Sequence, residues 1–371
     1  MDNSYTSPSP SPDERRTIRR YYFRISFILL TLLVVFNGIS TLARYGAAAI
    51  AGGGIDSESL SLGLSIIRQN PVISAVYSYF FPLAADIAAF GVGCVVTNFN
   101  LRDKLRFKGF TGKELCAFTA CSLGGSLIGS FIMIIVVVVF AVLYFASSGE
   151  SSGINDILNS ISERSIIVSD DNPLWLDMLI YFYICFAGPI MEELVFRGVL
   201  LDGLRKYGNR FGIIMSGILF GLFHQNIVQC IPAIIMGIVF AEMAVRSNSL
   251  IPSIFVHILN NSMSALLMIF INNVDLSALY SITDYTDLSS ALTADVIAYM
   301  IIVSLNGLFR FVCLIAAILI VINYFSKGGK LVPSNEYTRS RTCSYLFTSL
   351  PWLLIIFFLL YETLTSLSFL A

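Results

Sequence analysis

The sequence predicts an all-α, polytopic transmembrane helix bundle of about eight to nine spans. Of the 371 residues 56% are hydrophobic and only 13% charged, far more apolar than a globular domain. Apolar runs of about 20 residues also recur between charged or turn-forming segments, the length a helix needs to cross a bilayer. With a net charge of −1, nothing in the sum points to nucleic acid as a partner; the basic residues inform by position.

Taken in order, residues 1–24 are expected to be a cytoplasmic tail without fixed structure, because residues 1–14 are rich in Ser and Pro and cannot bury a core. Spans follow at roughly 25–43, 72–98, 115–146, 174–201, 211–227, 229–245, 250–271, 297–324 and 346–369. The first apolar run follows basic residues and precedes Ala47-Ala48-Ala49, as a secretory signal would, but it is too long for a signal core and reads as an anchor. The spans at 211–227 and 229–245 are short and nearly continuous.

Basic residues fall in alternate loops. Arg15, Arg16, Arg19, Arg20 and Arg24 precede the first span, and Arg102, Lys104, Arg106, Lys108 and Lys113 follow the second. Arg205, Lys206 and Arg210, then Arg246, then Lys327, Lys330, Arg339 and Arg341 continue the pattern. The positive-inside rule makes these segments, and the N terminus, cytoplasmic. The intervening loops carry Glu150, Asp156, Asp170, Asp171, Asp275, Asp284, Asp287 and Asp295. Seven cysteines without Cys-x-x-Cys spacing support neither a disulfide framework nor a thiolate metal site.

Ionisable groups inside spans are the informative exceptions. A charge at the centre of a spanning helix costs roughly 2.5–3.5 kcal/mol on insertion scales, so such groups mark function or a specific interhelical contact. The chain has two histidines, His224 and His257, both in apolar stretches, and a Glu192-Glu193 pair. Pro189 cannot donate to the carbonyl of Cys185, so it can kink the helix and free an acceptor just before the carboxylates. Glu193 and Arg197 are four apart with the acid first, the favourable order for a pair on one face, while Glu192 points about 100° away. Glu193 is then neutralised and Glu192 is left for chemistry. If Arg197 instead bridges both carboxylates, neither reacts.

Gly217, Gly221 and His224 share a helical stripe with Phe220 beside it, and the two glycines allow a neighbouring helix to approach the imidazole closely. Gly125 and Gly129 have the same spacing with no reactive group nearby. Ser253, His257, Asn261 and Ser264 form a polar stripe on another apolar helix, which must face into the bundle. His257 and Asn261, one turn apart, can donate toward one point, as an oxyanion-stabilising site requires, or make an interhelical hydrogen bond. Glu242 and Arg246 read as a surface pair at a cytoplasmic helix end.

These three segments, Glu192-Glu193-xxx-Arg197, Phe220-xxx-His224 and His257-xxx-Asn261, resemble the CAAX-protease and bacteriocin-processing family of intramembrane proteases. That family includes the Rce-type prenyl-protein endopeptidases and bacterial Abi proteins. The resemblance covers about residues 173–270, which become the catalytic core between N-terminal transmembrane helices (25–172) and C-terminal ones (271–371). It implies intramembrane peptide hydrolysis with Glu192 as base. A compatible physical reading has Glu192 and His224 activating water and His257 and Asn261 stabilising the oxyanion, with Glu193, Arg197 and Phe220 in support.

The resemblance further implies membrane lipid and a hydrophobic or membrane-bound peptide as partners, in a bacterial plasma membrane, with peptide maturation or bacteriocin self-immunity as roles. No cofactor is favoured, but zinc is possible: Glu192, His224 and His257 are suitable ligands that would leave a fourth position for water. Against it, Glu193 would be the remaining carboxylate base, and it is committed to Arg197. The rival reading is a proton-coupled transporter using the buried Glu and His groups with Asp86 and Arg310. Asp86 and Arg310 otherwise read as a structural ion pair or as snorkelled or cavity-facing groups.

Overall fold

The computed structural model of the chain describes residues 11–106, 110–148, 172–272, 274, 292–328, 346 and 349–365. Every regular element among them is helical. They are α1 (Pro12–Gly52), α2 (Ser57–Gln69), α3 (Pro71–Thr97), α4 (Leu101–Lys104), α5 (Gly112–Ser148) and α6 (Leu174–Leu204). Then come α7 (Asn209–Phe223), α8 (Ile227–Ser247), α9 (Ile251–Asn272), α10 (Ala294–Ser326) and α11 (Leu350–Thr365). Seven are long and apolar enough to cross a membrane, and α7 and α11 are shorter apolar helices. Together these nine occupy the nine expected spans. The acidic loop residues from Glu150 to Asp171 and from Asp275 to Asp287, with Lys330, Arg339 and Arg341, lie outside the described residues.

The first helix starts earlier than expected. Ser11 and Glu14 form a capping box, the Ser11 hydroxyl accepting from the Glu14 amide at 3.3 Å and Glu14 Oε2 from the Ser11 amide at 2.7 Å. Pro12 suits the first helical turn, and Ile18 and Tyr22 are buried. The unstructured tail expected over 1–24 is therefore corrected for 12–24: a capped start and buried apolar positions outweigh the Ser/Pro composition that precedes them. Helix α2, which the search for long apolar runs passes over, is capped by Asp56, accepting from the amides of Glu58 and Ser59 at 3.1 and 3.0 Å. The Ser59 hydroxyl also donates to Asp56 and holds its carboxyl below the usual carboxylate range.

The helices pack as a chain of neighbours: α3 against α1, α7 against α8, α8 against α5, and α5 against α10. Helix α6 lies against α3 and α9. As its glycine stripe predicts, α7 approaches α8 very closely. A Cβ at Gly217 would stand 2.7 Å from the Ile238 amide nitrogen, and one at Gly221 2.5 Å from the Cys230 carbonyl. The last helix closes on the first, where buried Trp352 donates from Nε1 to the Tyr22 carbonyl at 2.8 Å. Apolar side chains such as Ile135 and Val138 on α5, and Leu308 and Leu319 on α10, point outward, as a lipid-facing surface requires.

Arg310 and Asp86 are not an ion pair. Arg310 donates to Ser126 at 2.9 Å, Asn260 at 3.1 Å, Asn306 at 3.3 Å and Ser264 at 3.4 Å, tying α10 to α5 and α9. Asp86 faces a cavity elsewhere in the bundle. Glu242 and Arg246 do pair, at 2.7 Å, with Arg246 also reaching the Tyr324 hydroxyl.

Candidate active site

Helix α6 carries both glutamates, and its backbone is adapted to present them. Two π segments, Tyr183–Ala187 and Leu194–Leu200, flank the short α-helical stretch Gly188–Glu193. In the first, the Gly188 amide reaches five residues back to the Tyr183 carbonyl. In that register the acceptor opposite Pro189 is Ile184, one residue from the Cys185 that an α-helical count selects. The Ile184 carbonyl is satisfied from another helix, by Asn261 Nδ2 at 3.1 Å. Past the glutamates, Ser216 on α7 donates to the Phe196 carbonyl at 2.9 Å. π-Bulges often occur at functional sites, and these two bracket the carboxylates.

The pair separates as its spacing predicts. Glu193 is fully buried and lies 2.9 Å from Arg197 Nη1, itself fully buried. That approach lacks hydrogen-bond alignment, so charge and ring faces hold the guanidinium more than directed bonds do. Its Cζ stands 4.0 Å from the Phe220 ring centroid and 5.3 Å from that of Phe240. The Glu192 side chain is 26% exposed and lines a cavity of about 260 Å3 between α1, α3, α6 and α7.

His224 lines the same cavity. It is the residue just past α7, not a mid-helix position, because the chain turns at Gln225 (φ 49) before Asn226 caps α8. Its Nδ1 lies 2.9 Å from the Phe220 carbonyl. A carbonyl can only accept, so Nδ1 carries a proton, and in the neutral ring Nε2 is the nitrogen with the lone pair. The Phe220 ring packs edge-on against both imidazoles, at 5.0 Å from His224 and 5.7 Å from His257.

His257 does not line this cavity. It is buried behind the glutamates, with Nδ1 3.1 Å from Glu193 Oε1 and Nε2 3.6 Å from Glu192 Oε2. His257 and Asn261 thus meet different partners in this structure. His257 faces two carboxylates, and Asn261 spends an N–H on the Ile184 carbonyl. Their one-turn spacing puts them on one helix face, but the π register of α6 gives each a different partner. Among the described residues no three His, Cys, Asp or Glu side chains are arranged to hold a metal ion. Of the three expected ligands, Glu192 and His224 line the cavity, while His257 stands off it with Nδ1 toward Glu193 and Nε2 toward Glu192.

Motif reasoning missed the contribution of the first hundred residues. Asp86, Ser78 and Pro82 from α3 and Leu32 and Phe36 from α1 complete the cavity wall. An aspartate within an apolar span was the available signal for Asp86; what it faces depends on a contact between distant segments.

Residues 173–263 match the family model described as "Type II CAAX prenyl endopeptidase Rce1-like". The "Putative membrane peptidase YdiL" of Bacillus subtilis (strain 168) is 32% identical over 78 residues, 20% of this chain and 32% of that protein. The similarity therefore spans about a third of the length of that curated relative. No solved structure matches the chain. Across residues 173–263, then, this polytopic membrane protein matches the Rce1-like family of CAAX-type peptidases, the resemblance its three motifs carry.

Proposed function

We propose that the protein is an intramembrane endopeptidase that hydrolyses a peptide bond in a hydrophobic or membrane-associated peptide. The observation that carries this reading is the meeting of Glu192 and His224, from two helices, on one cavity within the segment that matches the family. A carboxylate and an imidazole lone pair are both acceptors. A water between them gives each a hydrogen and keeps its own lone pairs for the substrate carbonyl. Glu192 takes the proton as the carbon–oxygen bond forms, with His257, itself bonded to Glu193, beside its carboxylate.

An adjoining cavity of about 290 Å3 supports a hydrophobic substrate. It lies between α3 and α6, is walled by groups such as Val76, Phe80, Trp175 and Leu179, and shares Tyr183 with the first cavity. An apolar side chain beside the scissile bond would fit there. Peptide maturation or bacteriocin self-immunity, in a bacterial membrane with the N terminus in the cytoplasm, is the role that goes with this reading.

The test is a comparison of membrane and secreted peptides from cells with the wild type and with Glu192→Gln. New peptide ends should appear only with the wild type, and the purified protein should reproduce them. Identical peptide profiles, together with no cleavage by purified protein, would sink the peptidase reading. The separate partners of His257 and Asn261 add a second expectation. The losses in kcat/KM from His257→Ala and Asn261→Ala should multiply, and a double variant that loses much less than the product would return both to one transition-state oxygen.

A further inference from the structure

Asp86 is 7% exposed, midway along α3, and lines the cavity that holds Glu192 and His224. It lies well outside the segment that matches the family. Among the described residues no ion pair or hydrogen bond engages its carboxyl, and the cavity wall has no Lys or Arg. A buried carboxylate without a partner is costly, so the group needs either a counter-charge or a proton.

The counter-charges nearby are already used. Arg197 lies 2.9 Å from Glu193, and His257 stands between the two glutamates, Nδ1 3.1 Å from Glu193 and Nε2 3.6 Å from Glu192. Both basic groups thus face the glutamates, and neither faces Asp86. Two carboxylates facing one low-dielectric cavity are also relieved of repulsion when one carries a proton, a division that elsewhere separates acid from base. Glu192 has His257 beside it and Asp86 has no basic neighbour, so of the two Asp86 is the one placed to carry the proton. Tyr183 and His224 are the other titratable groups on this wall.

On the peptidase reading above, we infer that Asp86 is a further catalytic residue, the acid that protonates the leaving amine. Glu192 removes a proton from water as the water oxygen bonds to the carbonyl carbon and the π electron pair moves to oxygen. When that intermediate collapses, the carbonyl re-forms and the carbon–nitrogen pair leaves with nitrogen, which takes the proton of Asp86. The products are an acid and an amine. Glu192 then holds the proton that Asp86 has lost, and passing it across the cavity restores both groups.

A leaving group that needs no proton separates this role from a structural one. The probes are a peptide cleaved by the purified protein and the same acyl segment as a p-nitrophenyl ester, whose phenolate departs unaided. Asp86→Asn should lower kcat/KM for the amide by about 10²–10⁴-fold, the usual range for a general acid, and change the ester rate less than about tenfold. Asp86→Glu should restore part of the amide rate. Equal losses on both substrates, or none on either, overturn the assignment.

If Asp86→Asn fails to fold, the wild type decides the matter. Across anilides of differing basicity its turnover should vary little, and a steep preference for the least basic anilines overturns the acid. Wild type inert toward both the amide and the ester overturns the peptidase reading, and this one with it.

Discussion

Glu192→Gln is expected to lower turnover of a cleaved peptide by about 10²–10⁴-fold or more, the contribution of a positioned general base, while the protein unfolds at the wild-type temperature. The two outcomes belong together because of where the side chain sits. Glu192 is the member of the pair that reaches the cavity, with the His257 imidazole as its one basic neighbour within 4 Å among the described residues. Glutamine keeps the shape and loses a basic oxygen. It leaves the Glu193/Arg197 pair untouched, so the fold should persist in detergent. Near wild-type cleavage by Glu192→Gln would remove the base from this mechanism.

Glu193→Gln should behave in the opposite way, with a loss of stability on the order of 3–5 kcal/mol, the range for breaking a buried pair by removing one partner. Arg197 is fully buried and its neighbours besides Glu193 are largely aromatic. Without Glu193 it retains a full charge with only ring faces to receive it. Replacing both partners, as in Glu193→Leu with Arg197→Met, should recover most of that loss, because neither member of the pair is then left as a buried charge without its partner. Thermal unfolding of the three proteins in one detergent measures this. A Glu193→Gln protein that melts with the wild type would show that the pair does not hold the bundle together.

Span number and placement were legible because a membrane imposes a length and an apolar composition that single helices must meet by themselves. The Glu193/Arg197 pair and the closeness of α7 to α8 were legible for a similar reason, since both follow from three- and four-residue spacing within one helix. What was not legible depends on register or on distant partners. The π segments of α6 shift the backbone count by one residue, moving the freed carbonyl from Cys185 to Ile184 and drawing Asn261 to it. No composition rule encodes that shift. Nor does local spacing tell that Asp86 stands across a cavity from Glu192, or that His257 lies behind it. Helix α2 escaped notice because Ser57–Gln69 is too polar and too short to register as a span.

The bond between Trp352 and the Tyr22 carbonyl bears on how the protein is made. Synthesis delivers α1 to the membrane long before α11, since the two partners are 330 positions apart. Until the ribosome has released Trp352, the face of α1 that carries Tyr22 lacks the indole that packs on it, and the wall of the cavity that α1 supplies is held from one side less. A bundle in which α1 waits on α11 cannot fold strictly span by span. The wall that α1 lends to the cavity gains its last neighbour only once α11 has been made, so intermediates that precede α11 are the forms that quality-control proteases would meet.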